Sequence, residues 1–344
     1  MRKIAMTMLP ALAFAWSTVS AVAQEMKALP PDAIAHIEKA RHLIGRDLPQ
    51  TTVGEFFNLL RNSKKTDPKI LPANPTTAGP LGKTQYEAVG PVKVFDGVYV
   101  VGNAFVDVWI FVTKDGIIQY DAMNNEDDAK NIIEPAYAKL GLDPRNLKYI
   151  IISHGHGDHF GGAKYFQQKY GTHVLSSAAD WDLMYRNVRS NAPPPARDMV
   201  VTDGQKLSLG GQTMTLYVTP GHTPGPVSLV VPVTDRGQKH VMAAFGGFGL
   251  PLNVEPSSAG PGLRVYGKEM RRFQKIAAAA GADGIISTHP GFDGTEDHVR
   301  NLIGGTAKKR NPYVVGNAAV ARYWDAVDQI RLSMISIVDH LPAP

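Results

Sequence analysis

From Val92 onward the chain alternates short apolar runs, turn residues and amphipathic stretches. Val92–Phe95, Val98–Val101, Val106–Thr113 and Gly116–Tyr120 are short and rich in β-branched and aromatic side chains, which predicts strands. Asp96-Gly97 and Asp115-Gly116 sit between them as turn signals. Over Ala129–Leu140 the apolar positions fall at Ile132, Ile133, Ala136 and Leu140, which predicts a helix. The run Tyr149–Ile152 predicts a buried strand. A helix at Gly162–Tyr170, a strand at His173–Ser176 and a helix at Ala179–Asn187 follow, and then a proline-rich loop at Asn191–Arg197. Gln205–Leu209, Gln212–Val218, Val227–Pro232 and His240–Ala244 form a second set of strands. Tyr266–Ala280 reads as a helix, Gly284–Ser287 as a strand and Asn317–Val338 as a long amphipathic helix. Strands and helices thus recur in two comparable halves. This implies an α+β fold of two packed sheets with helices outside.

The first quarter has a different texture. Arg2 and Lys3 precede an apolar region from Ile4 to about Trp16, and Ala21-Val22-Ala23 matches a cleavage pattern. Residues 1–24 are therefore expected to be a signal peptide cut near Ala23, which would make the mature protein periplasmic or secreted. The apolar run is short and broken by Thr7, Pro10 and Ser17, so no membrane span is expected after cleavage. Residues 25–90 form an expected N-terminal extension, with a helix from Pro31-Asp32 to about Ile44 and a second over Val53–Leu60. Its apolar residues Phe56, Phe57, Leu59 and Leu60 need cover, either near the mouth of a cleft or on the back of the fold. Prolines 68, 72, 75 and 80 break any regular element between Lys64 and Gly90. Residues 91–344 are the expected catalytic domain.

Composition changes the picture in two ways. Apolar residues make up 44% of 344, ample for a core, and there is no cysteine. An exported chain without cysteine has no disulfide, no thiolate ligand and no thiol nucleophile. The formal charge is +5, and removing Arg2 and Lys3 from the 36 basic residues leaves 34 against 31 acidic ones. So small and evenly spread an excess argues against a nucleic-acid partner. Neither pattern nor composition sets an oligomeric state.

The chemistry is concentrated after the strand Tyr149–Ile152. His154, His156, Asp158 and His159 lie in one run, H-G-H-G-D-H. Alternation puts His154 and His156 on one side of an extended segment, with Asp158 and His159 just beyond. Three imidazoles and a carboxylate are costly to crowd together unless a cation holds them, and this donor mix suits zinc and its neighbours. Two more histidines follow strand-like runs and are bracketed by turn residues: His222 in G-H-T-P-G and His289 in T-H-P-G. Five histidines and one aspartate make six ligands. That is enough for two metal ions with three protein ligands each and an open position on both, the mark of a catalytic site.

These motifs resemble the metallo-β-lactamase superfamily, over roughly Val92 to the C-terminus. Within it the chain is most similar to the cysteine-free, third subclass of β-lactamases. Gly102, Asp121, Leu140-Gly141-Leu142, Gly161-Gly162, Ala179-Asp180 and Asn311-Pro312-Tyr313 support the likeness. The resemblance implies an αββα sandwich with the site at one edge of the two sheets. It implies two zinc ions per chain, one on His154, His156 and His222 and the other on Asp158, His159 and His289. Asp121 either orients a ligand histidine or forms a turn at the strand end.

The implied activity is hydrolysis of a small-molecule carbonyl compound by metal-activated water, with Asp158 as the catalytic residue. A β-lactam is the first expected substrate, with antibiotic resistance as the consequence. A different lactone, ester or amide is the alternative. Many hydrolases of the superfamily carry a bridging aspartate after G-H-T-P-G, but here Ala243–Gly249 holds no carboxylate. Gly246, Gly247 and Gly249 also stand where the resembled lactamases place anchoring serines. Serines at Gly247 and Gly249 are therefore expected to strengthen the hold on a carboxylate-bearing β-lactam.

Overall fold

The computed structural model describes residues 29–49, 52, 89–186, 192–251, 256–305 and 310–340. The expected signal peptide, the helix at Val53–Leu60 and most of the linker to Gly90 lie outside the described residues. The first helix, α1 (Pro31–Ile44), places Ala33, Ile37, Ala40 and Ile44 on one buried face. That spacing is the i, i+4, i+7 stripe of an amphipathic helix.

Two sheets follow. The first runs in the order β1 (Val89–Phe95), β2 (Val98–Gly102), β3 (Asp107–Thr113), β4 (Gly116–Tyr120), β5 (Leu147–Ile151), β6 (His173–Ser177) and β7 (Met199–Val201). The members from β1 to β4 form antiparallel hairpins, and β4 to β7 pair in parallel. In the second sheet β8 (Gln205–Leu209), β9 (Gln212–Val218), β10 (Val227–Asp235) and β11 (Gln238–Ala244) form a meander. A two-residue β12 (Gly284–Ile285) pairs in parallel with β11.

Three apolar layers hold the sheets and helices together. Val100, Trp109, Phe111, Ile118, Leu175, Leu216, Leu229 and Met242 meet between the sheets. Against the outer face of the first sheet lie α2 (Glu126–Asp128), a π turn (Ala129–Ile133), α3 (Glu134–Lys139), α4 (Gly157–Phe160), α5 (Ala163–Tyr170) and α6 (Ala178–Arg186). Ile133, Tyr137, Phe160, Phe166, Trp181 and Met184 fill that layer. The second sheet is covered by α7 (Pro256–Ala279) and by α10 (Asn317–Asp339), which carries α1 on its far side. Between α7 and α10, α8 (Pro290–Asp293) and α9 (Thr295–Ile303) follow the last strand. The result is the αββα sandwich, flanked by an N-terminal helix.

Several elements differ from the reading of the sequence. The predicted helix at Ala129–Leu140 begins three residues earlier and is π-wound in its middle. Asn125 caps its start by accepting from Asp128 N. In α7 the helix starts near Pro256 despite Pro261, well before the predicted Tyr266. Burial of Leu263, Tyr266, Met270 and Phe273 against the sheet overrides the local proline penalty. Strand β7 and helices α8 and α9 have no apolar run long enough to show in the pattern.

The site is placed by the ends of strands. At one edge of the sandwich β4 leads to Asp121, β5 to His154 and β6 to α6. From the second sheet β9 leads to His222, β11 to Phe245 and β12 to His289. Cross-links fix this edge. Val227 N donates to Ser153 O at 2.7 Å, Tyr120 Oη donates to Val227 O at 2.8 Å, and Trp109 Nε1 donates to Ser287 O at 2.7 Å.

Docking of α1 buries Ile37 in the core shared with α10, so one truncation tests it. Ile37→Ala is expected to lower stability by about 2–4 kcal/mol, as for other fully buried large-to-small changes. A denaturant midpoint equal to that of the wild type would show that α1 does not share the core of α10.

Candidate metal centre

The strand β5 ends at Ile151, and Ser153 to His156 turn sharply into the four-residue helix α4. The turn directs His154 and His156 toward one point and puts Asp158 and His159 on the first helical turn beyond it. His222 arrives from the G-H-T-P-G loop. Its Nε2 lies 3.1 Å from His154 Nε2 and 3.1 Å from His156 Nδ1. His289 arrives after β12. Its Nε2 lies 3.0 Å from His159 Nε2, while Asp158 Oδ2 lies 3.4 Å from His159 Nε2 and 3.7 Å from His289 Nε2. The six residues singled out in the sequence therefore gather as two groups of three: His154, His156 and His222, and Asp158, His159 and His289.

These distances fit metal ions. A tetrahedral ion at about 2.0–2.1 Å from each nitrogen sets its ligands roughly 3.3 Å apart. Protons alone fit the same geometry poorly. His222 Nε2 faces two other imidazole nitrogens, and a single proton satisfies only one such contact.

Surrounding groups select the tautomers. His154 Nδ1 donates to Gly246 O at 2.8 Å, and His289 Nδ1 donates to Phe105 O at 2.7 Å. His159 Nδ1 donates to Asp121 Oδ2 at 2.6 Å. In His154 and His289 this leaves Nε2 with its lone pair facing the group. Asp121 also takes Ser153 N on Oδ1 and Ser153 Oγ on Oδ2, both at 2.6 Å. It adopts a left-handed φ of 66°, costly for an aspartate, and is buried. Asp121 contacts His159 and adopts a turn conformation, a geometry that fits both roles read for it.

The electrostatics of the two groups follow from burial and crowding. Burial, and then the neighbouring imidazoles, push His154 and His222 well below the ordinary histidine range. Burial and His159 push His289 down to about 4. These rings are neutral at pH 7, the form that binds metal. Burial opposes charge on His159, but the Asp158 and Asp121 carboxylates outweigh it and raise the ring to about 10. Burial likewise opposes ionisation of Asp158, and His159, His289 and His156 outweigh it, holding its carboxyl below the usual range.

Sequence reasoning missed several residues around the ligands. Asp293 accepts Ser287 N at 2.7 Å and Thr295 N at 2.9 Å, which pins the T-H-P-G loop. Its position four residues after His289 was a signal that could have been read. Asp180 bonds both loops of the first group. Phe105 and Gly246 act through backbone carbonyls, which residue type does not encode. Asp107 is fully buried, and neither carboxylate oxygen has a hydrogen-bond partner. Burial, then Asp293 and Asp121, hold its carboxyl well above the ordinary range.

The glycine stretch needs a correction. A Cβ on Gly247 would lie 2.5 Å from Cβ of His222 and 3.0 Å from Cγ. Serine there would push a metal ligand aside instead of supplying an anchor.

Residues 101–236 match the family model described as the metallo-beta-lactamase superfamily. A hydroxyacylglutathione hydrolase of Pseudomonas aeruginosa is 30% identical over 130 residues, which is 38% of this chain and 44% of the relative. The chain thus spans under half the length of that curated relative. Among solved structures, the native FEZ-1 metallo-beta-lactamase from Legionella gormanii superposes with a TM-score of 0.62 at 20% identity, covering 72% of this chain and 96% of that one. BJP-1, a subclass B3 metallo-beta-lactamase of Bradyrhizobium japonicum, gives a TM-score of 0.59 at 22% identity, covering 71% and 93%. These likenesses show the fold of the metallo-β-lactamases, and the six residues form two candidate metal sites.

Two outcomes are expected. His154→Ala and His289→Ala each remove one of three donors from one group. Each is expected to lower metal content from two equivalents to about one, read by elemental analysis after gel filtration. Gly247→Ser is expected to lose metal from the first group. Unchanged metal content together with a lower KM for a carboxylate-bearing β-lactam would show that the His222 contact relaxes freely.

Proposed function

We propose that this chain, with its metallo-β-lactamase superfamily fold, is a zinc-dependent hydrolase that opens an ester, thioester, lactone or amide carbonyl in a small molecule. The observation that carries the reading is the pair of three-donor groups, since a structural zinc is normally closed by four protein ligands. When bound, two zinc ions supply Lewis acidity and a water activated at neutral pH.

The rest is the work of the chain. Gly246 O, Phe105 O and Asp121 bond Nδ1 of His154, His289 and His159, which would turn Nε2 of each ring toward a bound ion. Asp158 is the one carboxylate among the six donors. We assign it two tasks: binding the second ion and accepting the proton of the attacking water. No helix of the described residues is long and apolar enough to cross a membrane. Export belongs to the proposal and rests on the leader pattern ending at Ala23.

Substrate choice is read from the glycine stretch after β11. Gly247 has no room for a side chain beside His222. A stretch without anchoring side chains next to the first group favours a substrate recognised mainly through its carbonyl over one anchored by a carboxylate. The name of the hydroxyacylglutathione hydrolase relatives points the same way, toward a thioester. A second reading is β-lactam opening. It is favoured by the absence of a carboxylate in Ala243–Gly249, where many hydrolases of the superfamily bridge their metals.

Zinc-loaded protein assayed against nitrocefin, a carbapenem, aryl esters, lactones and acyl thioesters separates the readings. The ester or thioester arm is expected to lead in kcat/KM by about tenfold or more, a barrier difference of about 1.4 kcal/mol. A lead for nitrocefin or the carbapenem would replace this reading with the β-lactamase one. Full turnover after exhaustive chelation would end both. Asp158→Asn is expected to lower kcat by about 100-fold and to weaken the second ion. Wild-type turnover with both ions bound would remove Asp158 from the mechanism.

A further inference from the structure

We infer that Asp180 is the positioning residue of the first metal group, a buried carboxylate that clamps together the two loops carrying His154, His156 and His222. Asp180 sits in the first turn of α6, and its side chain is fully buried. Its Oδ2 accepts Gly155 N at 2.8 Å and Thr223 Oγ1 at 2.6 Å, and its Oδ1 accepts Gly225 N at 2.8 Å. Gly155 lies between His154 and His156. Thr223 adjoins His222, and Gly225 lies two residues further on. All three ligands of the first group are therefore backbone neighbours of groups that Asp180 holds. The two loops are about 70 residues apart in the chain and come from different sheets.

The chemistry of the clamp requires a carboxylate. Both backbone contacts are N–H donors, one on each oxygen, so the side chain must accept on both sides. An amide accepts on one side only, and its NH2 would face either Gly155 N–H or Gly225 N–H. The hydroxyl of Thr223 can reverse its role, but a backbone N–H cannot. Removing the carboxylate leaves buried donors without partners, and the loops must move apart to hydrate them. Ser177 completes the arrangement. Its Oγ donates to Gly225 O and accepts from Asp180 N, which ties the G-H-T-P-G loop to the start of α6. The second group uses other supports: Asp121 behind His159, Phe105 O behind His289, and Asp293 under the T-H-P-G loop. Loss of Asp180 should therefore act on one metal and spare the other, which a general structural role would not do.

The inference rests on the reading that the first trio holds a metal ion, and the test separates the two. Cadmium-113 NMR of the cadmium-loaded full chain reports a three-nitrogen site and a two-nitrogen, one-oxygen site as separate resonances, assigned with His289→Ala. Chelator competition gives the affinity of each site. In Asp180→Asn the first-site affinity is expected to fall about 10- to 100-fold, with the second-site resonance retained and its affinity within about twofold of wild type. Unchanged affinities at both sites would overturn the clamp. So would an equal loss at both sites accompanied by a drop in thermal midpoint. Should Asp180→Asn fail to fold, Thr223→Val keeps the shape and removes one of the three contacts. It is expected to weaken the first site by about tenfold in folded protein, and no change there would overturn the inference. Wild-type protein that binds no metal would end the metal reading and this inference together. Two wild-type equivalents with an unaffected first site in the variants would end the clamp alone.

Discussion

Imidazole nitrogens held about 3 Å apart in two buried groups are the constraint on which this molecule is built. His222 Nε2 faces both His154 and His156, and His159 faces His289, so each group approaches ligand spacing before any ion is bound. Lone pairs pointed at one another repel, and burial denies them water. Such an arrangement is stable only if the surrounding protein is rigid, and it becomes favourable when a cation takes the centre. The loss of charge on His154, His222 and His289 follows from burial first and then from this crowding. His159 differs because the Asp158 and Asp121 carboxylates beside it outweigh its burial and hold a proton on the ring.

Rigidity comes from carboxylates that bind loops rather than metal. Asp121 holds the start of the H-G-H-G-D-H turn through Ser153 and His159. Asp180 bonds that turn to the G-H-T-P-G loop, and Asp293 pins the loop of His289. Each is buried and accepts hydrogen bonds from backbone N–H groups that would otherwise lack partners. Backbone carbonyls complete the shell by fixing His154 and His289. Asp107 breaks the pattern, with a buried carboxyl and no donor. Its elevated proton affinity, set by burial and by Asp293 and Asp121, is the response expected when like charges share a dry site.

The helical layer over the second sheet reaches the same centre. Trp324 of α10 stacks on Phe248 at 5.7 Å, Phe248 stacks on Phe292 at 5.5 Å, and Phe292 meets the His289 ring edge-on at 5.9 Å. Close packing of this kind transmits displacement, because no void absorbs it. On its far side α10 carries α1, and His36 bonds Gln329 across that contact at 2.8 Å. Beyond α1, Thr52 Oγ1 donates to Phe292 O at 2.9 Å. Of the extension, α1 packs against α10 and Thr52 lies against the helix that follows His289, while Phe56, Phe57, Leu59 and Leu60 lie outside the described residues.

Local pattern was enough to determine most strands and the α+β class, and to single out the six residues that the fold gathers into two groups. Strand period and turn residues act over a few positions, and a histidine beside a strand end is visible as such. Gly116–Tyr120, Gln205–Leu209 and Gln212–Val218 match the reading at both ends for this reason. Tertiary structure decided what local pattern does not carry. The start of α7 across Pro261 depends on a face buried against the sheet. Strand β7 and helices α8 and α9 are held by neighbours rather than by their own apolar runs. The second task of Asp121, the clamp at Asp180 and the steric bar at Gly247 depend on contacts between segments tens of residues apart. Residue type names a donor or an acceptor, but only the packed chain decides which partner stands within hydrogen-bond reach.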